Sequence, residues 1–191
     1  MGNIFVHTSG RFLKGLCFWV LIAPRFLLNG GIIEDPSPEV QEFIALFPSF
    51  LAEGLQIYRT ELNVYSAELN VAGQIDALFV DSEGFFVILD WKRSARISFD
   101  SNREMLPPLD HLPDCNGYHY AIQLNLYRFM LEAQGFRVSR MYLCAFPQAR
   151  VIEVPRLDEE ISIIIAAWAQ DARRSVLGCF GKRHGSQAQG G

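Results

Sequence analysis

Apolar residues follow two periods along this chain. From residue 12 to 29 they come almost unbroken, and Asn29-Gly30-Gly31 stops the run. That pattern predicts a buried helix, ended or kinked near Pro24. In "DPSPEVQEFIALFPSFLAEG", Phe43, Ile44, Phe47, Phe50 and Leu51 recur at helical spacing. Ser37 is placed to cap that helix, with Pro38 at its first position and Glu39 in its first turn, and Pro48 is expected to split it. The period then shortens to that of strands over Gln56–Ser66, Leu69–Val80 and Gly84–Lys92, with "DSEG" (81–84) as the turn between the last two. Residues 94–113 carry three prolines and read as a long loop, of the kind that is usually functional or mobile. "YHYAIQLNLYRFMLEAQG" (118–135) returns to helical spacing. Strands follow at 137–147 and 149–155, then a helix from Leu157 to Leu177, and "GKRHGSQAQGG" reads as a disordered tail. The order is helix, helix, three strands, helix, two strands, helix. It predicts an α/β fold, a mixed sheet flanked by helices.

Composition narrows the class. The chain has 191 residues, half of them hydrophobic, which supports one sizeable core and one domain. A net charge of −4 does not advertise nucleic acid, but it leaves room for a local basic groove. Cys17, Cys115, Cys144 and Cys179 lie far apart with no CxxC pair, so a zinc site or a redox dithiol is not expected, and the thiols read as buried in a reducing compartment. "RFLKGLCFWVLIAP" has the charge and apolar run of a signal peptide, but no clear small-x-small cleavage site follows and the run is too short to span a bilayer. Val6 stands where a myristoylation signal needs serine or threonine. An intracellular protein with no membrane partner is expected, with a processed, secreted or membrane-associated protein as the competing view.

The chemistry concentrates in "VAGQIDALFVDSEGFFVILDWKRS" (71–94). Asp76 interrupts one apolar strand, and Asp90, Trp91 and Lys92 close the next. Residues two apart on a strand share a face, so Asp90 and Lys92 point together and Trp91 points away. The turn at 81–84 folds Asp76 toward them. A buried carboxylate without a partner costs several kcal/mol or takes up a proton. Two facing carboxylates repel as well, and a divalent cation resolves both problems. Oxygen ligands suit Mg²⁺ or Mn²⁺, and Lys92 alongside can stabilise charge in phosphodiester hydrolysis. An Asp-x-Lys triplet alone is more commonly a surface ion pair. On the following helix Gln123 and Tyr127, four apart, share a face and could position a phosphate or a water.

These residues resemble the PD-(D/E)XK nuclease superfamily in its RecB-like, lambda-exonuclease-like branch. The pattern stands as Gly73-Gln74-Ile75-Asp76, then Asp90-Trp91-Lys92, then Gln123 and Tyr127, over roughly residues 56–145. The resemblance implies a restriction-endonuclease-like three-layer α/β/α fold with a central mixed β-sheet. Its single domain would cover residues 1–181, with N-terminal helices over 12–54, a core over 56–155 and the last helix over 157–177. It also implies Mg²⁺- or Mn²⁺-dependent cleavage of single- or double-stranded DNA, as an exonuclease in repair, recombination or the processing of mobile-element or viral DNA. Asp76, Asp90 and the main-chain carbonyl of Trp91 would ligate metal, with Lys92 catalytic.

The family usually adds an acidic residue or a histidine before the first aspartate, and Glu61 and Glu68 compete for that role. A turn near Ala67 would place Glu61 opposite Gln74, two residues from Asp76, and leave Glu68 in the turn, about 25 Å away along the strand. Glu61 is therefore the better candidate, the alternative being a strand carboxylate paired with Arg59. The histidine and glutamate of the family's first helix are missing, and His7 lies too far upstream. The cysteines lack the terminal cluster of iron–sulfur relatives. Arg93 and Arg96 form the best local basic patch for a phosphate backbone. Tyr118 and Tyr120 could stack on bases but read better as packing, and His111 and His119 read as surface residues. A catalytically weakened nucleic-acid-binding or assembly module is the alternative function. The oligomeric state is left open.

Overall fold

The computed structural model of the chain describes residues 5–6, 28, 30–33, 36, 38–148 and 150–181. Most of the apolar run from 12 to 29, the cap at Ser37, His7 and the tail from 182 lie outside them. Two short strands, β1 (Phe5–Val6) and β2 (Ile32–Ile33), pair in parallel. They precede α1 (Pro38–Ala52), which is followed by β3 (Gln56–Ser66), β4 (Val71–Val80) and β5 (Phe86–Arg93). Then come α2 (Asn116–Glu132), β6 (Val138–Phe146), β7 (Arg150–Glu153) and α3 (Asp158–Gly181). Strands β3 to β7 form one five-stranded sheet in sequence order, with β5 and β6 parallel and every other pair antiparallel. The crossover through α2 makes that parallel pair possible. The mixed sheet with helices expected from the pattern is present.

Side chains alternate between two apolar clusters. Phe79, Val87, Leu89, Trp91, Cys144 and Phe146 pack with Phe43 and Phe50 of α1. Ile75, Leu78, Ile88, Leu143 and Ala145 pack with Ala121, Leu124 and Tyr127 of α2. A third cluster joins Ile161 and Ile164 of α3 to Leu109 of the 94–115 loop and to partly buried residues of α2. Apolar side chains on both faces of the central strands are thus buried, which is why β4 and β5 read as nearly unbroken apolar runs.

Pro48 does not split α1, which runs through it as one helix of 15 residues. Phe43 and Phe50, on either side of the proline, are both buried against the sheet. Ile44, whose carbonyl would have bonded the missing N–H, is exposed, so water can serve that group. The 94–115 loop is more ordered than its prolines suggest. Glu104 bridges Pro113, Met105 N–H donates to Leu112, Asp114 N–H donates to Arg103, and Ile97, Leu109 and Leu112 are buried. No helix among the described residues is long and apolar enough to cross a membrane.

Candidate active site

The turn after β4 sets the geometry of the site. Asp81 Oδ1 accepts the N–H groups of Glu83 at 3.0 Å and Phe85 at 2.9 Å, and Gly84 takes φ 81°, a conformation glycine adopts freely. This turn fixes the β4–β5 register from Val80↔Phe86 to Ala77↔Leu89, where the ladder stops. The next facing positions are Asp76 and Asp90. Instead of a further ladder bond, the Trp91 N–H donates to Asp76 Oδ2 at 2.9 Å.

The strands are irregular at this point. Ala77 and Phe79 belong to the cluster against α1, yet Ile75, also odd-numbered, belongs to the cluster against α2. The alternation breaks at Asp76. Across from it, between the pairs Thr60↔Ala77 and Leu62↔Ile75, Glu61 takes φ 48°, which is uncommon for a residue with a side chain. The expected pairing of Glu61 with Gln74 is therefore corrected: Gln74 faces Asn63, and Glu61 lies across from Asp76 itself. The physical reason is the turn, which spans 67–70 and is centred one residue later than expected, moving every cross-strand partner by two. Glu68 does lie in this turn and is exposed.

Asp90 is buried, with its side chain 4% exposed, and Lys92 Nζ lies 2.6 Å from its Oδ2. That contact is an ion pair rather than a well-directed hydrogen bond, since Oδ2 has no donor in hydrogen-bonding geometry. Lys92 Nζ also donates to Gln123 Oε1 at 3.0 Å and lies 4.8 Å from the centre of the Tyr120 ring. Trp91 points to the other face, edge-on to Phe43 with ring centres 5.3 Å apart. Tyr127 is buried on the α2 side of the sheet, hydrogen-bonded to the main chain of Gln74. A Cβ on Gly73 would fall 2.3 Å from Tyr127 Cε1, so the glycine is what lets α2 approach β4. Asp76, Asp90, Lys92, Gln123 and Tyr127 are therefore brought together.

Burial pushes the Asp76 carboxyl from 3.8 up to about 7, with the charges of Asp90 and Glu61 adding to it and the Trp91 N–H and Lys92 opposing it. Burial also raises the Asp90 carboxyl, against the pull of the Lys92 ammonium. Burial and the charge of Asp90 raise the Tyr127 phenol and push the Cys144 thiol up to about 12. Cys144 is thereby an inert core thiol, free like the half-buried Cys115.

The two aspartates offer oxygen ligands, a buried Oδ2 lacking a directed donor, and mutual repulsion that a dication would relieve. One or two carboxylates with water and phosphate are an ordinary Mg²⁺ set. No group of three or more His, Cys, Asp or Glu side chains able to hold an ion forms among the described residues. Arg93 and Arg96 are exposed where β5 leaves the sheet, and the Arg96 carbonyl accepts from Asn116 Nδ2 at 2.8 Å. His119 pairs with Asp114 at 2.9 Å and His111 with Glu160 at 3.3 Å. Tyr118 packs edge-on against Phe99. The place of Tyr120 beside Lys92 was not legible from its own type; its spacing of three from Gln123 and seven from Tyr127 was the available signal.

No family model matches the chain, and no curated protein matches it. Among solved structures it is similar to a protein from Eubacterium rectale named as a candidate exonuclease. That likeness has 12% identity, covers 95% of this chain and 78% of the other, and has a TM-score of 0.46. It is also similar to the protein SSO0001, with 16% identity, coverage of 80% and 73%, and a TM-score of 0.32. Both likenesses are distant.

Proposed function

We propose that this chain is a metal-dependent nuclease of the PD-(D/E)XK type, with a restriction-endonuclease-like three-layer fold, that hydrolyses DNA phosphodiester bonds with Mg²⁺ or Mn²⁺. One observation carries the reading: a half-buried Asp76 and a buried Asp90 occupy the facing positions just past the end of the β4–β5 ladder, with an ammonium 2.6 Å from Asp90. A purely structural ion pair would need one carboxylate for one lysine. The second carboxylate, held at an unfavourable protonation by burial and by its neighbour, is accounted for by a dication.

On this reading Asp76 and Asp90 hold the ion, with the main-chain carbonyl of Trp91 completing the protein ligands. The ion supplies a polarised phosphoryl oxygen and an acidified water. Lys92 places a fixed positive charge where the phosphoryl group gains negative charge, and Gln123 orients Lys92. Tyr127 braces α2 against the strand carrying Asp76, and Arg93 and Arg96 meet the phosphate backbone beyond the site. Glu61, across from Asp76, is the further acidic residue available to the ion.

The test is cleavage of linear, circular and single-stranded DNA across a Mg²⁺ and Mn²⁺ titration, with Asp90→Ala and Lys92→Ala in parallel. Cleavage that requires metal and falls by at least about a hundredfold in both variants is expected. Equal turnover by wild type and variants would reject the assignment. DNA binding with no cleavage at any metal concentration would favour the weakened binding module.

A further inference from the structure

Lys92 places a cation beside Asp90, and a lysine head group is ordinarily its least ordered part, on a stem with about 2 kcal/mol of rotamer freedom. Here three groups surround Nζ. Asp90 Oδ2 lies at 2.6 Å, Gln123 Oε1 at 3.0 Å, and the Tyr120 ring centre at 4.8 Å. Gln123 Oε1 accepts one ammonium proton, and Asp90 Oδ2 holds the cation by charge. A third oxygen there would accept a further proton. An aromatic face instead attracts the cation through its quadrupole and leaves an N–H free for substrate. Tyr120, Gln123 and Tyr127 stand at i, i+3 and i+7, so one stripe of α2 supplies all three contacts to the β4–β5 carboxylate end.

We propose that Tyr120 is a positioning residue of this site: its ring, with Gln123, holds the Lys92 ammonium beside Asp90 with one N–H turned to the substrate. The proposal rests on the nuclease reading for its catalytic consequence and on the contacts alone for its structural one. It assigns the role to the ring and none to the phenol hydroxyl, so phenylalanine should substitute and leucine should not.

The experiment uses the full chain with isotopically labelled lysine, without metal, as wild type, Tyr120→Phe and Tyr120→Leu. The chain has only three lysines, Lys14, Lys92 and Lys182, so the Hε–Cε resonances are few, and Lys92→Arg assigns the one in question. Ring current from Tyr120 should shift the Lys92 Hε signal upfield in wild type and Tyr120→Phe. In Tyr120→Leu it should return to the exposed-lysine position while the dispersed amide spectrum persists. A wild-type signal already at the exposed position, or one unmoved in Tyr120→Leu, would overturn the proposal. In the cleavage assay, Tyr120→Leu should lower kcat about tenfold with KM within about twofold, and Tyr120→Phe should stay within about twofold of wild type. Equal damage by Phe and Leu, or a KM effect alone, would also overturn it. A wild type that cleaves nothing removes the nuclease reading instead, and the NMR result then decides the placement of Lys92 by itself.

Discussion

Asp76 carries a pH dependence with a definite sign. Its carboxyl is raised from 3.8 to about 7 in the folded chain, first by burial and then by Asp90. Between those values the folded protein holds a proton that the unfolded chain has released. Folding is therefore favoured by this group at low pH, and that contribution declines as pH climbs from about 4 to about 7 and is gone above it. An isolated group shifted this far would change stability by at most about 4 kcal/mol, and sharing a proton with Asp90 makes the change smaller. Asp76→Asn should therefore be more stable than wild type at pH 8 without metal and should show a flatter profile from pH 4 to 7. Urea unfolding in a chelator at several pH values measures this. A variant less stable than wild type at pH 8 would mean that the carboxylate is not in the repulsive environment described.

At the scale of elements, the turn at 81–84 matters most. It is a surface feature, yet it decides that Asp76 faces Asp90, because a strand register is set by the turn that closes it. Asp81→Ala removes the acceptor of two main-chain N–H groups and should cost about 1 kcal/mol. Gly84→Ala should cost a similar amount, since φ 81° disfavours a Cβ. Chemical unfolding of each variant checks both, and an unchanged midpoint for both would show that the apolar strands alone hold the register. This turn was legible from Asp81 and Gly84, and with it the approach of Asp76 to Asp90. The turn at 67–70 was less so. Its residues fit more than one length, and the single residue of difference moved Glu61 from Gln74 to Asp76.

At the scale of the whole molecule, α2 is held against both the sheet and α3. Arg128, with its side chain 4% exposed, pairs with Glu132 at 3.1 Å and with Asp158, the first residue of α3. Its Nε is buried without a partner. Asn125 donates to Pro155 at 2.9 Å and accepts from Leu157 N–H at 3.0 Å, fastening the segment that leads into α3. Removing Arg128 leaves a buried gap, whereas Arg156, half exposed, pairs across solvent with Glu132 at 3.5 Å. Arg128→Ala should thus cost about 3 kcal/mol and Arg156→Ala less than about 1 kcal/mol. Urea midpoints of the two variants give the comparison, and equal losses would contradict it.

The sequence by itself determined the order of elements from α1 to α3, the approach of Asp76 to Asp90 and Lys92, and the shared helix face of Gln123 and Tyr127. Each follows from a local rule: strand and helix periods, a turn with its demanded residues, and spacing along one helix. Tertiary structure alone decided the rest. Pro48 stays within α1 because Phe43 and Phe50 anchor both sides of it. Strand alternation breaks at Asp76, opposite a strained Glu61, and the need for glycine at 73 comes from a tyrosine 54 positions away in the chain. Tyr120 meets Lys92 only when α2 lies on the sheet. Such contacts join residues with no neighbourhood in sequence, and packing between elements sets them.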